Sequence, residues 1–158
     1  RKFRVLLTLA VVAVASWAVP KSGPAIGDKL PAHHPQHVTG PDAGTDTALS
    51  ESMADDLLQV FINGKDDANT KPLLSLLSQA AKEHDKAQFK GFLLFVQDTP
   101  EHLKELNKTE KADNIGLALL KGTQDESLPG YKINTDPAVK NTVIVYKDRT
   151  TSADFVNW

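Results

Sequence analysis

The sequence predicts an α/β fold, a mainly parallel sheet flanked by helices, from three observations within one stretch. Leu57–Asn63 (LLQVFIN) and Phe89–Gln97 (FKGFLLFVQ) are short apolar runs rich in Leu, Val, Ile and Phe. Phe92 to Val96 is apolar without a break, which is how a strand covered on both faces reads, and such strands sit mostly in parallel sheets. Between the two runs, Leu73, Leu76, Leu77, Ala80 and Ala81 recur at helical spacing. A strand–helix–strand unit of this size reads as a right-handed crossover.

The N-terminus has a different character. Arg1, Lys2 and Arg4 precede an almost unbroken apolar run, Val5–Ala15, and Ala13-Val14-Ala15 and Ser16-Trp17-Ala18 both offer small residues at cleavage-site spacing. Residues 1–18 therefore read as a secretory signal peptide, and the expected location is secreted or periplasmic. The run is short for a membrane span, so membrane contact is expected only through an uncleaved signal segment. The chain opens on Arg and not Met, and residues ahead of it are expected.

Of the 158 residues, 18 are basic and 20 acidic. Without residues 1–18, which carry three basic and no acidic side chains, 15 basic residues face 20 acidic ones, a net charge of −5. An acidic domain without a basic stripe excludes nucleic acid as the expected partner. The chain contains no cysteine, so it has neither disulfides nor thiol chemistry.

Residues 19–50 read as an extended arm: from Pro20 on they hold five Pro and four Gly, with Ile26, Leu30 and Val38 as apolar anchors. The arm is expected to lay one short strand or hairpin on the domain that follows, residues 51–158. It contains His33, His34 and His37, three imidazoles within five residues, which are the candidate metal ligands, for copper or zinc. No Cys, Asp or Glu stands at ligand spacing beside them, and a solvated loop is the competing reading. No cofactor is predicted.

Within the domain, Asn69 or Thr70 is the expected cap of the first helix, with Pro72 in its first turn, and the helix runs to about Lys86. Thr99-Pro100-Glu101 opens a second helix, with Leu103 and Leu106 facing the core and Asp113-Asn114 closing it. Ile115–Leu120 is a further strand, and Lys121–Asp136 is irregular, with a turn at Pro129-Gly130. Thr142–Tyr146 and Thr150–Val156 flank Lys147-Asp148-Arg149 as an antiparallel hairpin.

The order β-α-β-α-β followed by a hairpin is the thioredoxin-like arrangement of a mixed sheet. That fold calls for a helix after the hairpin, and none follows before Trp158. A missing C-terminal helix is therefore expected, with one face of Val143–Tyr146 and Phe155 left uncovered.

Several phrases carry a resemblance. His37-Val38-Thr39-Gly40-Pro41, Gly91-Phe92-Leu93-Leu94-Phe95, Pro129-Gly130-Tyr131-Lys132-Ile133 and Val143-Ile144-Val145-Tyr146-Lys147-Asp148-Arg149 resemble, in the same order, exported bacterial thioredoxin-like proteins of the redoxin (peroxiredoxin-related) group. The resemblance implies a Cys-x-x-Cys at about Thr47–Glu51. Thr47, Ala48, Ser50 and Glu51 occupy that would-be redox segment and carry no thiol, so thiolate exchange is impossible there. The position at the start of the first helix, Lys65–Pro72, also lacks cysteine, and no proline immediately precedes Thr142.

Other chemistry is thin. Ser50 has no nucleophile elbow around it, and Asp55 and Asp56 read as solvent-facing gatekeepers. His84 and His102 read as surface histidines. Tyr131 is the candidate partner-binding residue, with packing over the sheet as the alternative. The expected function is a non-catalytic, cysteine-free binding or scaffold module with an unidentified protein or small-molecule partner. The alternative is a thiol-disulfide oxidoreductase or peroxide-reducing scaffold that has lost its cysteines.

Overall fold

A computed structural model describes residues 20–49, 56–64, 67–84, 89–147 and 149–158. The signal-peptide reading, Ser50, Glu51 and Asp55 lie outside the described residues. The elements are β1 (Gln36–Thr39), β2 (Asp56–Ile62), α1 (Asp67–Glu83), β3 (Phe89–Phe95), α2 (Pro100–Glu110), β4 (Gly116–Leu119), a 3-10 turn at Gly122–Gln124, the short α3 (Ser127–Gly130), β5 (Asn141–Lys147) and β6 (Thr150–Val156).

The strands form one sheet in the order β1-β4-β3-β2-β5-β6. β2, β3 and β4 run parallel, joined by α1 and α2, whereas β5 and β6 add an antiparallel hairpin beside β2. This is the open mixed sheet of a thioredoxin-like α/β fold. The predicted short strand of the arm is β1, which pairs antiparallel with β4 at the far edge.

Alternation along the strands sorts the core into two layers. Val60, Ile62, Leu93, Phe95, Leu117 and Val143 meet Leu73, Leu74 and Leu77 of α1 and Leu103 and Leu106 of α2. Phe61, Phe92, Leu94, Ala118, Ile144 and Tyr146 point the other way. Among the described residues no long helix covers that second layer. It is covered by Leu30 and Leu49 of the arm and by Leu128, Tyr131 and Ile133 from the connection into β5.

The arm is stitched down along the hairpin. Gly27 N–H donates to the Thr151 carbonyl at 2.7 Å, Thr151 N–H donates to the Asp28 carbonyl at 2.8 Å, and the Ser22 and Thr142 hydroxyls meet at 2.7 Å. This corrects the expectation of an uncovered hairpin face: Val143, Ile144 and Tyr146 are all buried, and Phe155 alone of that set stands half exposed. Ile26 is not an anchor. It sits 74% exposed at the tip of a turn closed by Asp28 N–H on the Ala25 carbonyl, which aims it outward.

The helices begin and end for identifiable reasons. Thr99, with φ −121° and ψ 150°, caps α2 by accepting the His102 N–H, Pro100 occupies the first turn, and Lys111 closes the helix in the left-handed region, before Asp113-Asn114. α1 begins at Asp67, so Pro72 lies inside it and not in its first turn. Proline there removes one helical hydrogen bond, that to the Ala68 carbonyl. Ala68 is exposed, so water can serve that oxygen.

Candidate functional site

The described part of the would-be redox segment, residues 47–49, ends the loop that follows β1. Gly40 starts this loop with φ +91°, and it packs so closely that a Cβ there would stand 2.7 Å from the Gly116 Cα and the Ile115 carbonyl oxygen. The next turn is closed by Ala43 N–H on the Gly40 carbonyl, by Gly44 N–H on the His37 carbonyl, and by the Thr45 hydroxyl on the Asp42 carbonyl at 2.7 Å.

All three arm histidines hold this loop, each by a different bond. His37 is carried inward by the β1–β4 pairing, lies edge-on to Phe92 at 5.7 Å, and places Nε2 2.8 Å from the Thr47 carbonyl. A carbonyl only accepts, so Nε2 carries a proton, and Nδ1 is buried with no hydrogen-bond partner among the described residues. His34 reaches Asp46, with Nδ1 3.0 Å from its carbonyl and 3.5 Å from its carboxylate. His33 exchanges backbone bonds with Leu49, which is wholly buried.

The His33 ring turns into the arm-side core. Nε2 stands 2.8 Å from Oε1 of Gln59, the ring meets Tyr131 edge-on at 4.9 Å, and Gln59 Nε2 donates to the Tyr131 hydroxyl at 3.4 Å. That hydroxyl donates in turn to the Pro31 carbonyl at 2.8 Å. Burial lowers the pKa of His33, against the opposing effects of the Gln59 bond and the charge of Asp125. Asp125 is itself held below the usual carboxylate range: burial would raise it, but bonds from the Lys121 and Ser127 backbones and the Ser127 hydroxyl outweigh that.

Two sequence expectations meet this geometry. Tyr131, the candidate partner-binding residue, is fully buried, with its ring packed on His33 and Phe61. His33, His34 and His37 do not converge on one point, since each ring faces a different oxygen. Among the described residues no group of three or more His, Cys, Asp or Glu is arranged to hold a metal ion. His84 is exposed, whereas His102 is half buried, with Nδ1 2.8 Å from the Asp98 carboxylate.

Of the would-be redox segment, Thr47 and Ala48 are half buried and the Thr47 carbonyl is engaged by His37. At the C-terminal end of β2, Asn63 donates to the Asn134 and Val139 carbonyls and ties this end of the sheet to the approach to β5. Neither place holds a sulfur nucleophile. Beside the loop lies a cleft lined by His34, His37, Thr45, Asp46, Lys121 and Asp125. Sequence reading missed Gln59, whose signal was a lone polar residue at an inward position of LLQVFI, and Asp154, for which TTSADFV gives no signal.

No family model matches the chain, and no curated protein matches it. Solved structures do. The chain is similar to a thiol peroxidase from Chromobacterium violaceum, with 20% identity and a TM-score of 0.56 over 87% of this chain and 79% of that one. It is similar to a thiol-disulfide oxidoreductase from Bacteroides fragilis, with 16% identity and a TM-score of 0.63 over 80% and 89% of the two chains. It is also similar to a peroxiredoxin-like protein from Aquifex aeolicus, with 10% identity and a TM-score of 0.63 over 87% and 78%. At such identities the likeness speaks for architecture alone. The chain has the thioredoxin/peroxiredoxin-like fold and none of the cysteines that thiol redox chemistry requires.

Proposed function

We propose that this protein is an exported, non-catalytic member of the redoxin group, a binding module that presents the loop ending at Leu49 and the cleft beside it to a protein or small-molecule partner. One observation carries the reading: a thioredoxin-like scaffold whose would-be redox segment contains no thiol and lies in a loop bonded by three histidines. Without a thiolate, neither a mixed disulfide nor a sulfenic acid can form on the chain. The basic, apolar and small-residue pattern of residues 1–18 supports export.

A second reading is that the chain is a thiol enzyme scaffold that has lost its nucleophiles, favoured by its likeness to a thiol peroxidase and a thiol-disulfide oxidoreductase. Insulin-disulfide reduction and thiol-dependent peroxide consumption distinguish the two. The native chain is expected to show no turnover in either assay. An Ala48→Cys/Glu51→Cys double variant is expected to stay equally inactive if the site has been rebuilt for binding. Turnover by the double variant selects the second reading, and turnover by the native chain above a heat-denatured control overturns both.

A further inference from the structure

The first described segment of the arm, residues 20–28, is held on the hairpin side of the sheet by bonds between neutral groups. Gly23 N–H donates to the Lys132 carbonyl at 2.8 Å, Gly27 N–H donates to the Thr151 carbonyl at 2.7 Å, and the Ser22 and Thr142 hydroxyls meet at 2.7 Å. Between this segment and β6 lies a pocket lined by Lys21, Ser22, Gly23, Lys132, Asp154 and Val156. Asp154 stands on β6 opposite Ile144, and so shares the arm-side face of the sheet. Its carboxyl group lies directly on Gly23: a Cβ on that residue would meet Oδ2 at 2.5 Å and Oδ1 at 2.6 Å.

No described group answers a negative charge at this contact. Oδ1 of Asp154 is buried and has no hydrogen-bond partner among the described residues. On the arm, Lys21 and Lys29 are exposed, and Asp28 is engaged with the Lys132 Nζ at 3.0 Å. Lys132 is the charged residue that the connection into β5 brings to the pocket, so its cation is already committed. From β5, Tyr146 shares the face, with its hydroxyl bonded to the Arg149 carbonyl. β6 itself carries no other charged residue. Burial pushes the Asp154 carboxyl up to about 6, with no neighbouring cation opposing the shift. A carboxylate drawn out of water without a partner is costly, whereas the protonated acid is tolerated there.

We propose that residues 20–28 form a pH-gated flap, closed on the hairpin while Asp154 is protonated and loosened when it ionises against Gly23. The ionised group regains water only if the segment above it lifts, and lifting breaks the bonds at Ser22, Gly23 and Gly27 together. Opening therefore bares the end of the arm-side layer around Thr142 at neutral pH and conceals it in acid.

Amide hydrogen exchange at Gly23 and Gly27, corrected for intrinsic rates and measured at pH 4 and pH 7, tests the flap. A carboxyl that titrates at about 6 when closed and at the ordinary 3.8 when open makes opening about fiftyfold more favourable at pH 7 than at pH 4. Protection of both amides is expected to fall by about that factor, with the amides of α1 as the reference that does not follow. In Asp154→Asn the fall should vanish and protection should stay high at both pH values. Asp28→Asn is the second variant: it removes the neighbouring ion pair, and is expected to lower protection at both pH values while keeping the ratio between them. Equal protection at pH 4 and pH 7 in the native protein, a fall that persists in Asp154→Asn, or one that disappears in Asp28→Asn overturns the proposal.

Discussion

His33 and Gln59 meet at 2.8 Å, Nε2 against Oε1, in a core whose other members are almost all apolar. The pair joins the arm to β2 in the middle of the sheet, and each side chain satisfies a buried polar atom of the other. Removing one partner leaves the other unpaired, which costs about 1–3 kcal/mol beyond any lost packing. Replacing both at similar volume removes the polar demand altogether.

The first prediction follows. Gln59→Leu alone should destabilise the protein by about 2 kcal/mol, and His33→Phe in the Gln59→Leu background should recover most of that loss. Chemical denaturation of the two single variants and the double variant gives the coupling directly. Additive losses would show that the 2.8 Å bond contributes nothing of its own.

His33 also sets a pH dependence. Its pKa is lower in the folded protein than the ordinary 6.5, so the unfolded chain binds its proton more readily. The stability associated with neutral, buried His33 is complete above 6.5 and is lost as pH falls below that value toward the folded pKa. A Gln59→Leu/His33→Phe chain should lack this acid-side slope. Midpoints measured between pH 7.5 and 5 will show whether the slope belongs to His33.

Asp154 gives a slope of the opposite sign. Its carboxyl is raised from the ordinary 3.8 to about 6, so the folded protein holds the proton more tightly than the unfolded chain. Stability tied to protonated Asp154 is fully present below 3.8 and is lost as pH rises through about 6. Asp154→Asn should therefore stabilise the protein at pH 7 and have little effect at pH 4. Matched unfolding curves at those two pH values test the sign, and stabilisation confined to pH 4 would contradict it.

Gly40 is a tightly packed position of the loop. Alanine there must adopt φ +91° and place its Cβ 2.7 Å from backbone atoms of Ile115 and Gly116, which cannot rotate aside. Overpacking of this kind costs about 1–3 kcal/mol, and the left-handed backbone adds to it. Hydrogen exchange should show β1 losing protection first, with α1 unaffected. Equal protection of β1 in Gly40→Ala would mean that the loop shifts at no cost.

The two sides of the hairpin should respond unequally. Ile144→Ala, in the layer that the arm covers, is expected to cost about 2–5 kcal/mol. Phe155→Ser, on a residue that is 50% exposed, should stay within about 0.5 kcal/mol. Thermal unfolding of both variants, with light scattering for self-association, tests whether the arm is the cover. Similar losses at the two positions would show that Phe155 is buried in solution.

Much of the architecture was legible in the sequence because it rests on local signals. The apolar runs of β2 and β3 and the Thr99-Pro100 cap of α2 each state their element within a few residues. The start of α1 was missed because Pro72 masked it: proline marks a first turn on average, whereas here it sits one turn further in, beside the exposed Ala68. Ile26 was misplaced because apolarity says nothing about which way a turn points. The roles of the histidines and of Tyr131 were out of reach for a different reason. Each depends on a partner between 10 and 100 residues away, as in Tyr131 on Pro31, and no spacing rule spans that distance.

The stitches of the arm have a consequence for the order of assembly. Ser22 bonds Thr142 across 120 residues and Asp28 accepts from the Thr151 hydroxyl across 123, so the first described segment of the chain closes on its last strands. During synthesis the helix-covered layer can mature as soon as β2 to β4 have emerged, but the opposite layer has to wait for the hairpin. Contacts of such long sequence separation are entropically slow to close. A nascent chain therefore remains half-built, with one sheet face bare, until β5 and β6 have emerged, and its vulnerability to proteases and self-association is concentrated in that interval.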